Sequence, residues 1–307
     1  MKKSLAAAAG AGIIIIAILV STLAPQSPPE ELQDEKIGIV ASFFPLYDFA
    51  KNIGGDKVGV SVFVPIGVEP HDWEPSSKDL KLLKNADVFV YNGNMEIFTE
   101  KLINSGEFEN VDFVETTKGL DLVKNTNDEN RFAYDPHVWL DPVLAQKQVD
   151  IIKDAMVRVD KNNSEYFEKN AEAYKGKLAK LDDDIRNGLS HCNKDTFVSF
   201  HNAFSYFAKR YNIKSVPLTG ISPEAEPTPA ELKDFIDYVR NNNIKVIFAE
   251  DLIDPRLAQV LADEAGAQVM VLSPIEGLSD EDVAQGKDYI GKMQDNLDAL
   301  KIALECS

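Results

Sequence analysis

The 307-residue chain carries four histidines, at positions 71, 137, 191 and 201, and neutral imidazole is the commonest protein ligand for zinc and similar ions. His71 lies in "GVEPHDWEPSS", residues 67–77. Two prolines deny that stretch a regular helix or strand, leaving either a polar surface loop or a rigid platform that aims the ring. In open parallel sheets ligands bind beyond the carboxyl ends of the strands, and this rule sorts the candidates. His71 follows the apolar run "VGVSVFV", His201 directly follows "TFVSF", and Glu276, in "SPIEGL", follows "QVMVLS". His137, in "DPHVWLDP", sits beyond the irregular segment after "VDFVETT". All four can crown strand ends, two in each half of the chain, around one cleft. His191, in "LSHCNKD" at the end of a long helical stretch, does not fit and reads as a surface residue. A lone histidine at a strand end is more often a satisfied polar group, and Glu276 alone reads equally well as an exposed loop carboxylate. The weight lies in three of four histidines obeying one positional rule. Glu74, Asp135 and Asp141 are carboxylates placed to orient metal-bound rings, with turn formation beside the prolines as their simpler role. Glu69 and Asp72 are supports of the same kind, and Trp73 and Trp139 read as packing walls.

The elements that must position these groups are legible in the hydrophobic pattern. Short apolar runs ("KIGIVAS", "KVGVSVFV", "DVFVYNG", "VDFVETT") alternate with amphipathic segments ("PLYDFAKNIGG", "SSKDLKLLKNA", "EIFTEKLINSG"), which implies parallel strands with crossover helices. Residues 121–135 break the pattern with loop composition. Phe167, Ala171, Tyr174, Leu178 and Leu181 then recur at helical spacing, and after about residue 190 the alternation restarts with "DTFVSF", "IKSVPL", "KVIFAED" and "AQVMVLS". The expected fold is α/β: two parallel-sheet lobes, 36–160 and 191–307, joined by a long rigid helix within 161–190, with the metal site in the cleft between lobes. Such a helix predicts small, stiff movements instead of wide hinge closure. No internal sequence repeat is visible.

Thirty-two basic against fifty acidic residues give a net charge of −18, which argues against a nucleic-acid partner. At the amino terminus two lysines precede an uncharged run from Ser4 past Thr22, near the length that spans a bilayer and long for a signal peptide. Residues 1–24 are expected to form a membrane anchor or uncleaved signal that leaves the remainder outside the cytoplasm, with the proline-rich stretch 25–35 as spacer. Cys192 and Cys306 are the two cysteines. Outside the cell they can pair or stay free, and neither belongs to a CxxC metal pair.

Four stretches in order, "EPHDWEPSSKDLKLLKNADVFVYNG", "DPHVWLDP", "SFHNAFSYFAKRY" and "LSPIEGL" with its trailing "GKDYIGKMQDNL", carry a family resemblance. From about Lys36 onward the chain resembles the zinc- and manganese-binding components of ABC-type metal importers. The resemblance implies a metal held between two lobes and, as partner, a cognate permease with a cytoplasmic ATPase. Together with the amino-terminal segment as anchor, this leads to an extracytoplasmic protein, at the cell surface or in the periplasm, expected to be a membrane-anchored monomer. By motif match, His71, His137 and His201 take the family's three histidine positions and Glu276 its acidic fourth. Manganese-type members tend to carry a carboxylate at the third position, where this chain has His201. Three imidazoles and one carboxylate suit tetrahedral Zn2+, whereas Mn2+, the alternative, prefers more oxygen ligands. One departure is the absence of a histidine-rich acidic loop, since residues 121–135 contain no histidine. Two rival readings are a surface adhesin on the same scaffold and a zinc hydrolase with Glu276 as general base. The hydrolase lacks any HExxH signature.

Overall fold

The chain was described from a computed structural model covering residues 36–125, 132–223 and 226–307. The expected anchor (1–24) and spacer (25–35) lie outside these residues, as does 126–131 of the polar loop. Among the described residues no helix is long and apolar enough to cross a membrane.

The first half runs β1 (Ile37–Ala41), α1 (Phe44–Gly54), β2 (Val58–Val62), α2 (Ser77–Lys84), β3 (Val88–Tyr91), α3 (Thr99–Asn104) and β4 (Asp112–Glu115). Two helices follow, α4 (Pro142–Val159) and α5 (Ser164–Gly188). The second half runs β5 (Thr196–Ser199), α6 (Ser205–Tyr211), β6 (Lys214–Pro217), α7 (Pro229–Asn241), β7 (Val246–Ala249), α8 (Arg256–Ala265), β8 (Gln268–Val271), α9 (Asp280–Gln285) and α10 (Tyr289–Ala303). Both sheets are parallel throughout, ordered β2-β1-β3-β4 and β6-β5-β7-β8. The inner strands β3 and β7 read VFVY and VIFA and are buried along their whole length, as strands covered on both faces must be. In each sheet the chain winds outward in opposite directions from the central pair, so the loops beyond those strand ends diverge and open a crevice.

Helix starts follow the local chemistry. Ser76, Thr228 and Ser279 form capping boxes with Asp79, Glu231 and Asp282, each pairing backbone donors the first turn leaves open. Asp141 caps α4, with Pro142 in the first turn, where its missing N–H is not needed.

The helical stretch after residue 142 is two helices packed on each other and joined by the turn Lys161–Asn163. The longer, α5, has 25 residues, hence a length of about 37 Å. Its buried stripe is Phe167, Ala171, Tyr174, Leu178, Leu181 and Ile185. It packs on α1 from the first half and α10 from the second, so one hydrophobic core runs through both sheets and includes Phe49, Trp139, Phe197 and Tyr289. Cys192 and Cys306, whose pairing the sequence leaves open, are joined by a disulfide. It ties the start of the second half to the chain's last turn, where the Ser307 amide donates to the His191 carbonyl. His191 itself is exposed.

Asp48 of α1 is buried against α5 and accepts from the Tyr174 hydroxyl at 2.7 Å and from Asn52 Nδ2 at 3.3 Å. Burial, offset in part by the Tyr174 bond and reinforced by the Asp288 charge, pushes its carboxyl up to about 6 from 3.8. The folded chain therefore holds this proton more tightly than the unfolded chain. The associated stability is complete below about pH 4 and is lost as pH rises through about 6, a loss of about 3 kcal/mol. Asp48→Asn keeps an acceptor for Tyr174 and removes the charge. In urea unfolding, the stability of wild type relative to this variant is expected to fall by about 3 kcal/mol between about pH 4 and pH 7.5.

Candidate metal centre

His71 is placed by the loop after β2. Phe63 and Val64 continue the ladder by donating to Ala41 and Ser42 carbonyls, and a turn at Pro65 precedes the histidine, with Val68 N donating to the Pro65 carbonyl. Both Glu69 carboxylate oxygens accept from the His71 amide at 3.0 Å. The edge-on ring of Phe132 packs 5.6 Å from the His71 ring centre.

His137 sits between Pro136 and a one-turn 3-10 helix, Val138–Leu140. The Pro136 carbonyl accepts from Asn92 Nδ2 at 2.8 Å, and Asn92 Oδ1 accepts from Gln148 Nε2 of α4 at 3.0 Å. His201 begins the loop directly after β5. The two histidines share one device: a single carboxylate oxygen faces both the backbone amide and ring Nδ1. For His137 it is Asp135 Oδ1, at 3.0 and 2.8 Å; for His201 it is Glu250 Oε1, at 3.1 and 2.6 Å. An ionised carboxylate only accepts, so Nδ1 carries the hydrogen and Nε2 is left as the inward-facing donor atom.

Glu276 follows a backbone irregularity. Ile275, fully buried, has φ +58°, a left-handed conformation that is a steric outlier for a β-branched residue and costs on the order of 1–3 kcal/mol. Neighbouring bonds enforce it. The Ile275 amide donates to Ser273 Oγ at 3.1 Å, and the Pro274 carbonyl accepts from Trp139 Nε1 at 2.8 Å. Gly277 comes next, where a Cβ would press on Leu252 at 3.0 Å and lie 3.7 Å from the Val68 carbonyl of the His71 loop. The absent side chain lets the two loops approach.

The result is a buried cage. His71, His137, His201 and Glu276 are each no more than 3% exposed, and their facing donor atoms lie within 4.8 Å of one another. Glu276 Oε1 is 3.0 Å from Nε2 of both His71 and His137 and 3.6 Å from Nε2 of His201, and the Nε2 atoms of His137 and His201 are 3.2 Å apart. Four donors each 2.0–2.1 Å from a tetrahedral ion stand about 3.3 Å from one another. Four of the six edges, at 3.0–3.6 Å, bracket that value and the other two stay within 4.8 Å, so these residues fit a four-coordinate zinc-sized ion.

Charge in the cage is arranged around the carboxylate. Burial works against an ionised Glu276, yet His71 and the bonds from His137 and His201 hold its carboxyl well below the usual range. Burial pulls the His71 ring down. It also opposes charge on His137 and His201, but Asp135 for the first and Glu250 for the second, each aided by Glu276, outweigh it and raise both rings. Burial and then the Glu276 charge push Glu69 up to about 8.

Other residues singled out in the sequence take several places. Asp135 faces a ring nitrogen, as its position beside His137 suggests. Asp141, expected to do the same, does not: its carboxylate caps α4 and pairs with Arg210 of α6 at 2.7 Å, because the 3-10 turn carries it away from the ring. Glu74 is exposed and makes no hydrogen bond to a cage ring; it lines a small pocket beside His71 together with Asp72 and Lys101. Trp139 is a wall, its ring 5.1 Å from that of His137, and also a strut through Pro274. Trp73 packs between Phe63 and Phe98 in the first lobe. Sequence reading missed Glu250 and Phe132. Glu250 had a usable signal: in "KVIFAED" it comes directly after β7, the same kind of strand-end position that singles out His201. Phe132 lies in a polar stretch and carries no such mark.

A two-lobed α/β protein with a three-histidine, one-carboxylate cage between its sheets is the class that fold and site define. More particularly, the chain belongs to the family of zinc-uptake complex component A, periplasmic (ZnuA), whose family model matches residues 39–303. It is 41% identical over 281 residues to the high-affinity zinc uptake system protein ZnuA of Bacillus subtilis, covering 88% of each chain. It also resembles the zinc-bound ZnuA-like domain of Streptococcus pneumoniae AdcA, with a TM-score of 0.77 and 40% identity over 88% of this chain and 99% of that one. Of the complete zinc-binding lipoprotein AdcA it spans 56%. A third similar structure is the laminin-binding protein Lmb of Streptococcus agalactiae, described as a bifunctional protein with adhesin and metal-transporting activity, with a TM-score of 0.80 and 33% identity over 88% of this chain and all of that one.

Removing the charge behind one ring tests the geometry. Glu250→Gln is expected to weaken divalent-metal binding about 10- to 100-fold, as loss of a ring-orienting carboxylate does elsewhere. Competition against a chromogenic chelator measures it, with Glu74→Gln, whose carboxylate meets no cage ring, expected to stay at the wild-type value.

Proposed function

We propose that this protein captures Zn2+ outside the cytoplasm and hands it to an ABC permease whose cytoplasmic ATPase drives import. The observation that carries this reading is the cage, four buried donors of which Glu276 Oε1 stands 3.0–3.6 Å from all three Nε2 atoms and no two lie more than 4.8 Å apart. His71, His137, His201 and Glu276 are the proposed ligands, with Asp135 and Glu250 holding two rings in the binding tautomer. The ion is cargo. Three nitrogens and one oxygen favour Zn2+ over Mn2+, while cobalt, nickel and copper follow in vitro from their general affinity order. Four protein donors leave no position for an activated water, which favours transport over hydrolysis.

In this reading residues 36–160 and 191–307 are the two lobes and 161–190 contains their stiff connection. Residues 1–24 anchor a monomer to the membrane. A second reading, that the same surface also serves adhesion, draws on the likeness to the bifunctional Lmb. Binding to immobilised laminin with and without zinc tests it.

Capture requires unprotonated Nε2 atoms, and the raised His137 and His201 rings mean that protons compete for the empty cage. Titration calorimetry is expected to give one zinc per chain, with affinity rising from mildly acidic to neutral pH and protons released to the buffer. The triple variant His71→Ala/His137→Ala/His201→Ala is expected to bind none at this site; undiminished binding would sink the assignment.

A further inference from the structure

Glu276 lies on the loop between β8 and α9, and one buried ammonium group is tied to both ends of it, through Asp282 in α9 and through Asp251 and Ser273. Lys292 of α10 is 5% exposed. Its Nζ donates to Asp251 Oδ2 at 2.7 Å and to Asp282 Oδ2 at 2.9 Å. At the start of the loop, Asp251 Oδ2 also accepts from Ser273 Oγ at 2.8 Å, the same hydroxyl that receives the amide of the strained Ile275. Asn296, one helical turn after Lys292, brackets Ser273 by accepting from its amide at 2.8 Å and donating to its carbonyl at 2.7 Å. At the far end, Asp282 Oδ2 accepts from the Ser279 amide at 3.0 Å and hydroxyl at 2.7 Å. Asp251 directly follows Glu250, the carboxylate that holds His201.

Lysine is almost never buried unless paired, and an apolar side chain of similar size commonly supports a fold as well as a buried ion pair does. Stability alone is therefore a weak reason for an ammonium here. Its reach supplies a better one. It joins the segment just past β7, beside the carboxylate that orients His201, to the first turn of α9 directly and to Ser273 through Asp251, so it bears on two of the four proposed ligands.

We propose that Lys292 is a positioning residue for the metal cage: bridging Asp251 and Asp282, it locks the Glu276 loop and the Glu250 strand end into one frame and thereby sets how fast the bound ion leaves. The inference rests on the metal-capture reading. Glu276 is the ligand this frame controls on release, since loss of the Asp282 bond frees the far end of its loop while Asn296 and Trp139 still hold the start. Association, which meets a frame already formed, is unaffected.

The experiment is zinc dissociation from the full chain into excess chelator by stopped flow, with association measured separately. Lys292→Met and Asp282→Asn are each expected to speed dissociation about tenfold or more while association stays unchanged. The visible absorption of the Co2+-loaded protein is expected to lose tetrahedral intensity, and Lys292→Arg to restore both signals. Lys287→Gln is the control, because it removes an exposed pair with Asp295 near the same helix. Should Lys292→Met fail to fold, Asp282→Asn, which keeps the Asp251 pair, decides. Folded variants with wild-type dissociation and cobalt spectra overturn the clamp alone. A wild-type chain that retains no zinc overturns the capture reading and the clamp with it.

Discussion

A carboxylate held out of water among three imidazoles is the constraint on which the rest depends. Glu276 is 3% exposed, and an ionised group in such a place must be neutralised by something close and well directed. Three further acids, Glu69, Asp135 and Glu250, face the same rings from behind through their amides or Nδ1 atoms. Asp135 and Glu250 raise the proton affinity of the His137 and His201 rings, so ring protonation is one way to supply the balance. A dication supplies more charge in one particle and bonds to every donor directly, so the cage is matched to an ion of charge two.

Holding that arrangement accounts for much of the surrounding structure. Rings turn freely about their side-chain bonds unless something occupies Nδ1, and Asp135 and Glu250 do so on both sides of the cleft. The carboxylate has no such partner on its own backbone, so its loop is braced instead: by the left-handed Ile275, by Trp139 across the cleft, and by Tyr289, whose hydroxyl donates to the Trp139 carbonyl. Strain at Ile275 persists because these bonds over-determine it, a pattern typical of binding sites.

Much of this was legible in the sequence. Apolar runs with turn residues between them marked the parallel strands, and the strand-end rule brought His71, His137, His201 and Glu276 together, because period and topology are local signals that a single chain carries. What escaped was pairwise and long-range. Glu250 meets a ring 49 residues away, and no spacing announces such a contact, although its strand-end position was open to the same test as His201. Asp141 went the other way: adjacency to His137 suggested support, but helix capping and Arg210 claimed its oxygens. Glu74 faces outward for a related reason, since three residues of loop are enough to turn a side chain away from the cage. The cysteine bond could not be chosen from two residues 114 apart in sequence.

The continuous core along α5 has a consequence for how a partner reads the protein. Side chains such as Tyr174 and Ile185 belong to the same packed interior as both sheets, so there is no lubricated plane on which one half can slide over the other. Moving one half against the other would break packing that both sheets share, so large rearrangement is costly here. What can change at low cost is local, the set of the short loops around the crevice, and that texture is what a partner meets in place of a changed outline.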